Sequence, residues 1–258
     1  MAAVIQRLRR VEVEGLENLR NLGGYHTKNG TKTTKWGVVY RSDQISRVPT
    51  DVVQKVLIEQ LHIHDVYDLR DNNEVLARPY SLPHMQRTSL PIDMSNTHQF
   101  LKKGDDLKHV ATAHYFMQEI YREFVRSYAP TVGLVIKGII HSKASCDNAS
   151  LIHCTAGKDR TGWCCYVLLT LLDVTEKEKR ADYLLTNTFV GIPKDAWEYD
   201  GAEGMSEEAM TALWMAFDEY LDAAVDELSK MGGIYKYATS HMGLTDEDIE
   251  KLHEVMLE

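Results

Sequence analysis

Apolar and polar positions along this chain change their spacing repeatedly, and each change predicts an element. Val38-Val39-Tyr40, Ile63 to Leu69, Arg87 to Leu90 and Ser150-Leu151-Ile152 are stretches of strand length. Between them the spacing is helical. A Pro49-Thr50-Asp51 start signal precedes a helix to about Leu61, helical patterns over Ala113 to Ser127 and Thr131 to Ser142 meet at Pro130, and Trp163 to Leu172 is an apolar run suited to a buried helix. Further on, Thr175-Glu176-Lys177-Glu178 is a capping box opening a helix to about Thr186. Glu207 to Lys230 reads as one amphipathic helix, with Met210, Leu213, Trp214, Phe217, Leu221 and Val225 along one face. That stripe is core packing on the simpler reading, and a helical lid or membrane-facing edge on the other. Strands alternating with helices predict an α/β fold: a central, mainly parallel sheet with helices on both faces and extra helices towards the C-terminus. In such a sheet ligands bind beyond the carboxyl ends of the strands. No linker divides the chain, so residues 1–258 are expected to form a single domain.

One of those strand-to-helix junctions carries chemistry. His153-Cys154-Thr155-Ala156-Gly157-Lys158-Asp159-Arg160-Thr161-Gly162 puts a cysteine just before a helix N-terminus, where unpaired N–H groups and the helix dipole favour an anion. The residue types suit a thiolate nucleophile inside a phosphate cradle. Their alternative reading is a buried small cysteine beside a solvated basic turn.

The loop, Cys followed by five residues and Arg-Thr, resembles the signature of the protein-tyrosine phosphatase superfamily. Its Gly-Lys-Asp-Arg-Thr-Gly form is similar to the atypical microbial branch, which accepts phosphotyrosine, phosphoserine or phosphothreonine, and phosphoinositides. Asn18-Leu19-Arg20-Asn21-Leu22-Gly23-Gly24, Val39-Tyr40-Arg41-Ser42, Asp68-Leu69-Arg70, Ala181-Asp182-Tyr183-Leu184 and Tyr235 to Leu257 look like that family's segments in order. The resemblance implies the cysteine-based phosphatase architecture and a metal-independent phosphomonoesterase with no cofactor. Its partner would be a phosphorylated protein, or alternatively a phosphoinositide or inositol polyphosphate. A binding module that keeps the loop without turnover is the reading from another class.

Chemistry assigns roles within the loop. An unperturbed cysteine is only about 3% thiolate at neutral pH, and full ionisation gains about thirtyfold, roughly 2 kcal/mol, where catalysis needs at least about 8 kcal/mol. Positioning and charge stabilisation must supply the remainder. Arg160 can fork two phosphoryl oxygens while N–H groups from Thr155, Ala156, Gly157, Lys158, Asp159 and Arg160 take the others. Gly157 lets the backbone fold round the anion, Thr161 can donate to the cysteine sulfur, and His153 can orient the loop. Lys158 is either a second contact for a highly charged substrate or a solvated lysine. A general acid must protonate the leaving oxygen. Asp93 in Leu90-Pro91-Ile92-Asp93 resembles the family's mobile acid loop and is taken first, with Asp159 next and Asp68 third. Asp68 and Arg70 otherwise support the site from a neighbouring strand end.

Composition narrows the setting. With 258 residues, 44% of them hydrophobic, the chain can bury a full core, and a formal charge of -9 argues against nucleic acid as a partner. Met1 to Arg20 lack an apolar leader, and no apolar run approaches membrane-spanning length. Cys146, Cys154, Cys164 and Cys165 are not spaced as a disulfide framework, which fits a reducing, cytoplasmic location. His62-Ile63-His64-Asp65 puts two imidazoles on one strand face without a partner set of ligand spacing, so no metal is expected.

Overall fold

A computed structural model describes residues 8–82, 84–95, 97–100, 106–198 and 202–258, so the first seven residues of the charged opening stretch lie outside it. Five strands, β1 (Arg20–Asn21), β2 (Val39–Ser42), β3 (Ile63–Asp68), β4 (Gln86–Ser89) and β5 (Ala149–His153), form one sheet in the order β1-β2-β5-β3-β4. All neighbours are parallel except β1, which runs antiparallel to β2. The strand that leads into the Cys154 loop, β5, is therefore central.

Because side chains alternate across a strand, adjacent residues feed opposite faces. Val39, Tyr67 and Ile152 enter one apolar layer, whereas Tyr40, Val66 and Leu151 enter the other. The first layer is covered by helices α2 (Val110–Ser127), α3 (Ala129–His141) and α4 (Asp159–Leu171), and by helices nearer the C-terminus. The second is closed by the N-terminal segment around Val11 and Leu19 and by Thr50–Ile58, whose last six residues wind as a π-helix. A short helix, α1 (Asn72–Ala77), follows β3 behind a capping box in which Asp71 and Glu74 satisfy each other's backbone N–H groups.

After α5 (Glu176–Phe189), the expected single helix over Glu207 to Lys230 is two: α6 (Glu207–Trp214) and α7 (Asp218–Lys230). Backbone groups freed at the break find side-chain partners. Asn187 donates to the Ala216 carbonyl at 2.8 Å and accepts from the Ala216 N–H at 2.7 Å, and Lys158 donates to the Leu213 carbonyl at 2.8 Å. With those donors in place the chain can turn extended at Met215 and Phe217 without leaving orphaned polar groups. Two further helices, α8 (Gly233–Ser240) and α9 (Asp246–Met256), complete the first layer.

Candidate active site

The loop from Cys154 to Arg160 leaves the carboxyl end of β5 and enters α4, as the strand and helix patterns predict. What shapes it is the fate of its carbonyls. His153 Nδ1 lies 2.9 Å from the Cys154 oxygen, Gln44 N–H donates to Thr155 at 3.1 Å, and Asn18 Nδ2 donates to Ala156 at 3.0 Å. Arg41 donates to Gly157 at 2.7 Å and reaches Lys158 at 3.4 Å. Five consecutive carbonyls are thus engaged from outside. In a planar trans peptide the N–H points away from the C=O, so turning five carbonyls outward aims the following N–H groups inward. The Gly157 N–H already donates to Cys154 Sγ at 3.2 Å. Gly157 has φ +66°, and a Cβ there would stand 2.4 Å from the Ser42 oxygen, so only glycine fits.

Behind the loop lies a buried charge cluster. Asp182 on α5 accepts from Arg20 at 3.1 Å, Arg41 at 2.6 Å and Tyr25 at 2.9 Å. Burial opposes its ionisation, but Arg20 and Arg41 hold its pKa down at about 2. Two guanidiniums against one carboxylate leave a net positive charge beneath the loop. Burial brings Arg20 down to about 10, with Arg41 adding to the fall, while Asp182 outweighs burial at Arg41 and pushes it up.

His153 is fully buried, and burial lowers its pKa to about 4 against the pull of Asp68. Being neutral, it donates from Nδ1 to the Cys154 carbonyl and presents Nε2 to the Tyr80 hydroxyl at 2.5 Å. Both ring nitrogens are thus engaged within the protein. Asp68, at the end of β3, holds Arg70 at 2.9 Å and Arg87 at 2.8 Å. Burial raises its pKa, but Arg70 prevails and brings it to about 2, so it is a fixed anion.

At the mouth, Arg160 is gripped by Glu74 of α1, with contacts of 2.5 and 2.7 Å to the two carboxylate oxygens, and Thr155 Oγ1 donates to the same carboxylate. Burial again opposes the charge, and Arg160 and Thr155 overcome it to place Glu74 at about 2. Glu74 is a site residue that sequence reasoning missed. Its signal was present in the Asp71-x-x-Glu74 capping pattern directly after Asp68-Leu69-Arg70.

The candidate acids separate by surroundings. Asp93 is exposed, and its carboxylate turns back to accept the Ser95 N–H at 2.8 Å, which lowers its pKa. Its loop still borders the site, because Arg160 reaches the Ile92 carbonyl at 3.4 Å. Asp159, on the first turn of α4, accepts from the Tyr121 hydroxyl at 2.8 Å and stands 3.6 Å from Lys158 Nζ. Tyr121 is paired with Tyr183 at 2.6 Å, and burial drives its ionisation far upward, so it remains a donor.

Two expectations meet a different geometry. Thr161 Oγ1 is buried without a partner and does not donate to the sulfur. Lys158 is neither solvated nor aimed at the cradle: it is buried, its pKa lowered by burial, and its ammonium faces the Leu213 and Met215 carbonyls. Cys164 and Cys165 are buried in α4, Cys146 is exposed, and no cluster of metal-ligating side chains occurs among the described residues. No described helix is long and apolar enough to cross a membrane.

Residues 11–258 match the tyrosine phosphatase family. Over 229 residues the chain is 27% identical to a curated Cupriavidus necator protein named a putative tyrosine-protein phosphatase, a match spanning 87% of this chain and 80% of the relative.

Proposed function

The chain belongs to the tyrosine phosphatase family, and from that premise we propose a phosphomonoesterase that acts on phosphotyrosine through a phosphocysteine intermediate, phosphoserine and phosphothreonine being further candidates. The observation that supports the mechanism is the run of five loop carbonyls engaged by groups outside the loop, together with the Gly157 N–H donating to the Cys154 sulfur. On this reading the sulfur attacks phosphorus, an S–P bond forms as the ester P–O bond breaks, and the leaving oxygen takes a proton from a carboxylic acid. Water then attacks phosphorus, gives a proton to that carboxylate, and the S–P bond breaks to return the thiolate and inorganic phosphate. Arg160 exchanges Glu74 for two phosphoryl oxygens, and until then Glu74 keeps its fork oriented.

We assign the acid to Asp159, with Asp93 as competitor, reversing the order taken from the sequence. Support comes from orientation. Asp159 belongs to the loop and has one oxygen oriented by the Tyr121 hydroxyl, whereas the Asp93 carboxylate is committed to its own turn. If Asp159 is the acid, Asp159→Asn slows phenyl phosphate far more than an activated aryl phosphate. The same pattern in Asp93→Asn instead would move the role to that residue.

A phosphoinositide reading would require Lys158 to leave two carbonyls for a second phosphate. Hydrolysis of a phosphoinositide panel, lost in Lys158→Ala, would favour it. Phosphorylated proteins are the partners on the main reading, and a cytoplasmic setting suits a nucleophilic thiol that must stay reduced. Cys154→Ser tests the whole scheme: turnover of p-nitrophenyl phosphate in chelator falls more than about a thousandfold while vanadate still binds. Wild-type protein that binds phosphate but hydrolyses no monoester would be a binding module instead.

A further inference from the structure

Beside the catalytic loop lies a cavity of about 540 Å³ whose boundary includes Ala156, Lys158 and Asp159 of the loop itself. Phe116, Met117, Val190, Met210, Leu213 and Trp214 make its walls apolar. Cavities of roughly 300 to 1,000 Å³ accommodate groups far larger than one phenol ring. A phosphotyrosine side chain would leave most of this space unused.

The polar side chains on the wall are largely committed within the protein, and Asp159 keeps one carboxylate oxygen towards the loop end of the cavity. Lys158 Nζ donates to the Leu213 carbonyl, and Asn187 uses both ends of its amide on Ala216. Thr186 Oγ1 accepts from Arg20 at 3.1 Å, and Asp159 accepts from Tyr121. An inositol ring or a peptide backbone entering here would therefore lose water and find few partners, at a cost for each polar group left unpaired. An alkyl chain loses nothing comparable. Methionines at 117, 205 and 210 add walls that adapt to a flexible chain.

Resting on the phosphomonoesterase reading above, we infer that the cavity is a tail site and that the enzyme takes amphiphilic phosphate monoesters, with the phosphate in the loop and a long alkyl chain along Phe116, Met117, Val190 and Met210. Turnover follows the same exchange of bonds: S–P forms as C–O–P breaks at the phosphorus–oxygen bond, and the long-chain alcohol leaves with the proton from the acid.

The test is kcat/KM for n-alkyl phosphates from butyl to dodecyl, each below its micellar concentration, with p-nitrophenyl phosphate as reference. Burying a methylene should raise kcat/KM by roughly fourfold, so butyl to octyl spans about two orders of magnitude before levelling off as the cavity fills. Val190→Trp, which fills the space from the half-buried end of α5, should reduce the slope below about twofold per methylene and leave p-nitrophenyl phosphate within about threefold of wild type. Should that variant fail to fold, competition on the wild type decides: decylphosphonate should inhibit at least about a hundredfold more tightly than methylphosphonate. A flat chain-length series or equal inhibition by the two phosphonates overturns the tail site while p-nitrophenyl phosphate turnover keeps the phosphatase reading. A slope unchanged in folded Val190→Trp overturns the assignment to this cavity. Inactivity on every monoester overturns the phosphatase reading itself.

Discussion

Arg41 and Arg160 stand on opposite sides of one loop, both bound to a carboxylate, yet their situations differ in kind. Arg41 sits at the back, fully buried, with Asp182 and the Gly157 carbonyl as partners that no substrate can replace. Arg160 sits at the mouth, and its partner Glu74 occupies the fork that a phosphoryl group would use. On the proposed mechanism the back is fixed architecture and the mouth is an exchangeable contact. A cradle needs both, because N–H groups that are already aligned lose nothing to reorganisation, while the one side chain that must grasp the ligand has to be free to change partners.

The largest effect expected from this contrast is at the back. Arg41→Met leaves Asp182 with one guanidinium and strands the Gly157 carbonyl, so unfolding in urea should show a loss of about 3 kcal/mol, with vanadate binding weakened as well. Arg41→Lys should fall between, since one ammonium cannot serve both partners as the planar fork does. Wild-type stability in Arg41→Met would erase the distinction.

Next comes the mouth, where Arg160→Lys should lower kcat/KM about a hundredfold and leave the urea midpoint almost unmoved. A stability loss matching that of Arg41→Met would show that the mouth, too, is architecture.

The smallest effect is in pH. His153, behind the loop, has its folded pKa lowered from 6.5 to about 4, so the unfolded chain takes up its proton first as pH falls. Its contribution is intact above about pH 6.5 and is lost progressively towards pH 4, on the order of 2–3 kcal/mol. Glu74 and Asp182, both held near 2, contribute stability that is complete above the ordinary carboxylate range and lost progressively from there down to about pH 2. Between pH 6.5 and about 5 the decline should therefore come from His153 at the back of the loop, and the carboxylates add to it below that. Urea titrations at pH 7, 5 and 4 check this, and a flat profile would contradict the buried neutral imidazole.

What could be read from the sequence followed from proximity along the chain. The β5–loop–α4 unit was legible because strand, cysteine, arginine and helix are consecutive, and the alternation of strands and helices was enough to imply the parallel sheet. Arg20, Arg41 and Asp182 stood out as segments resembling a family, but nothing in their spacing says that two cations share one anion. The break between α6 and α7 was invisible for the same reason: the apolar stripe runs straight through it, while its cause, Asn187 and Lys158, comes from elsewhere. Lys158 was misjudged because a lysine in an anion-binding loop suggests an anion, whereas this one caps helix carbonyls.

The carbonyl anchors also set the order of events when the chain folds. Asn18 and Ala156 are 138 residues apart, Arg41 and Gly157 116, and Arg20 and Asp182 162. Closing such long loops carries an entropic cost that must be met before any of these bonds forms, and topology of this kind slows folding. A nascent chain that has released its cysteine from the ribosome still lacks α5, and with it the carboxylate that steadies both arginines. The cradle is thus a late product of synthesis, assembled when the earliest residues and the segment beyond the loop finally meet.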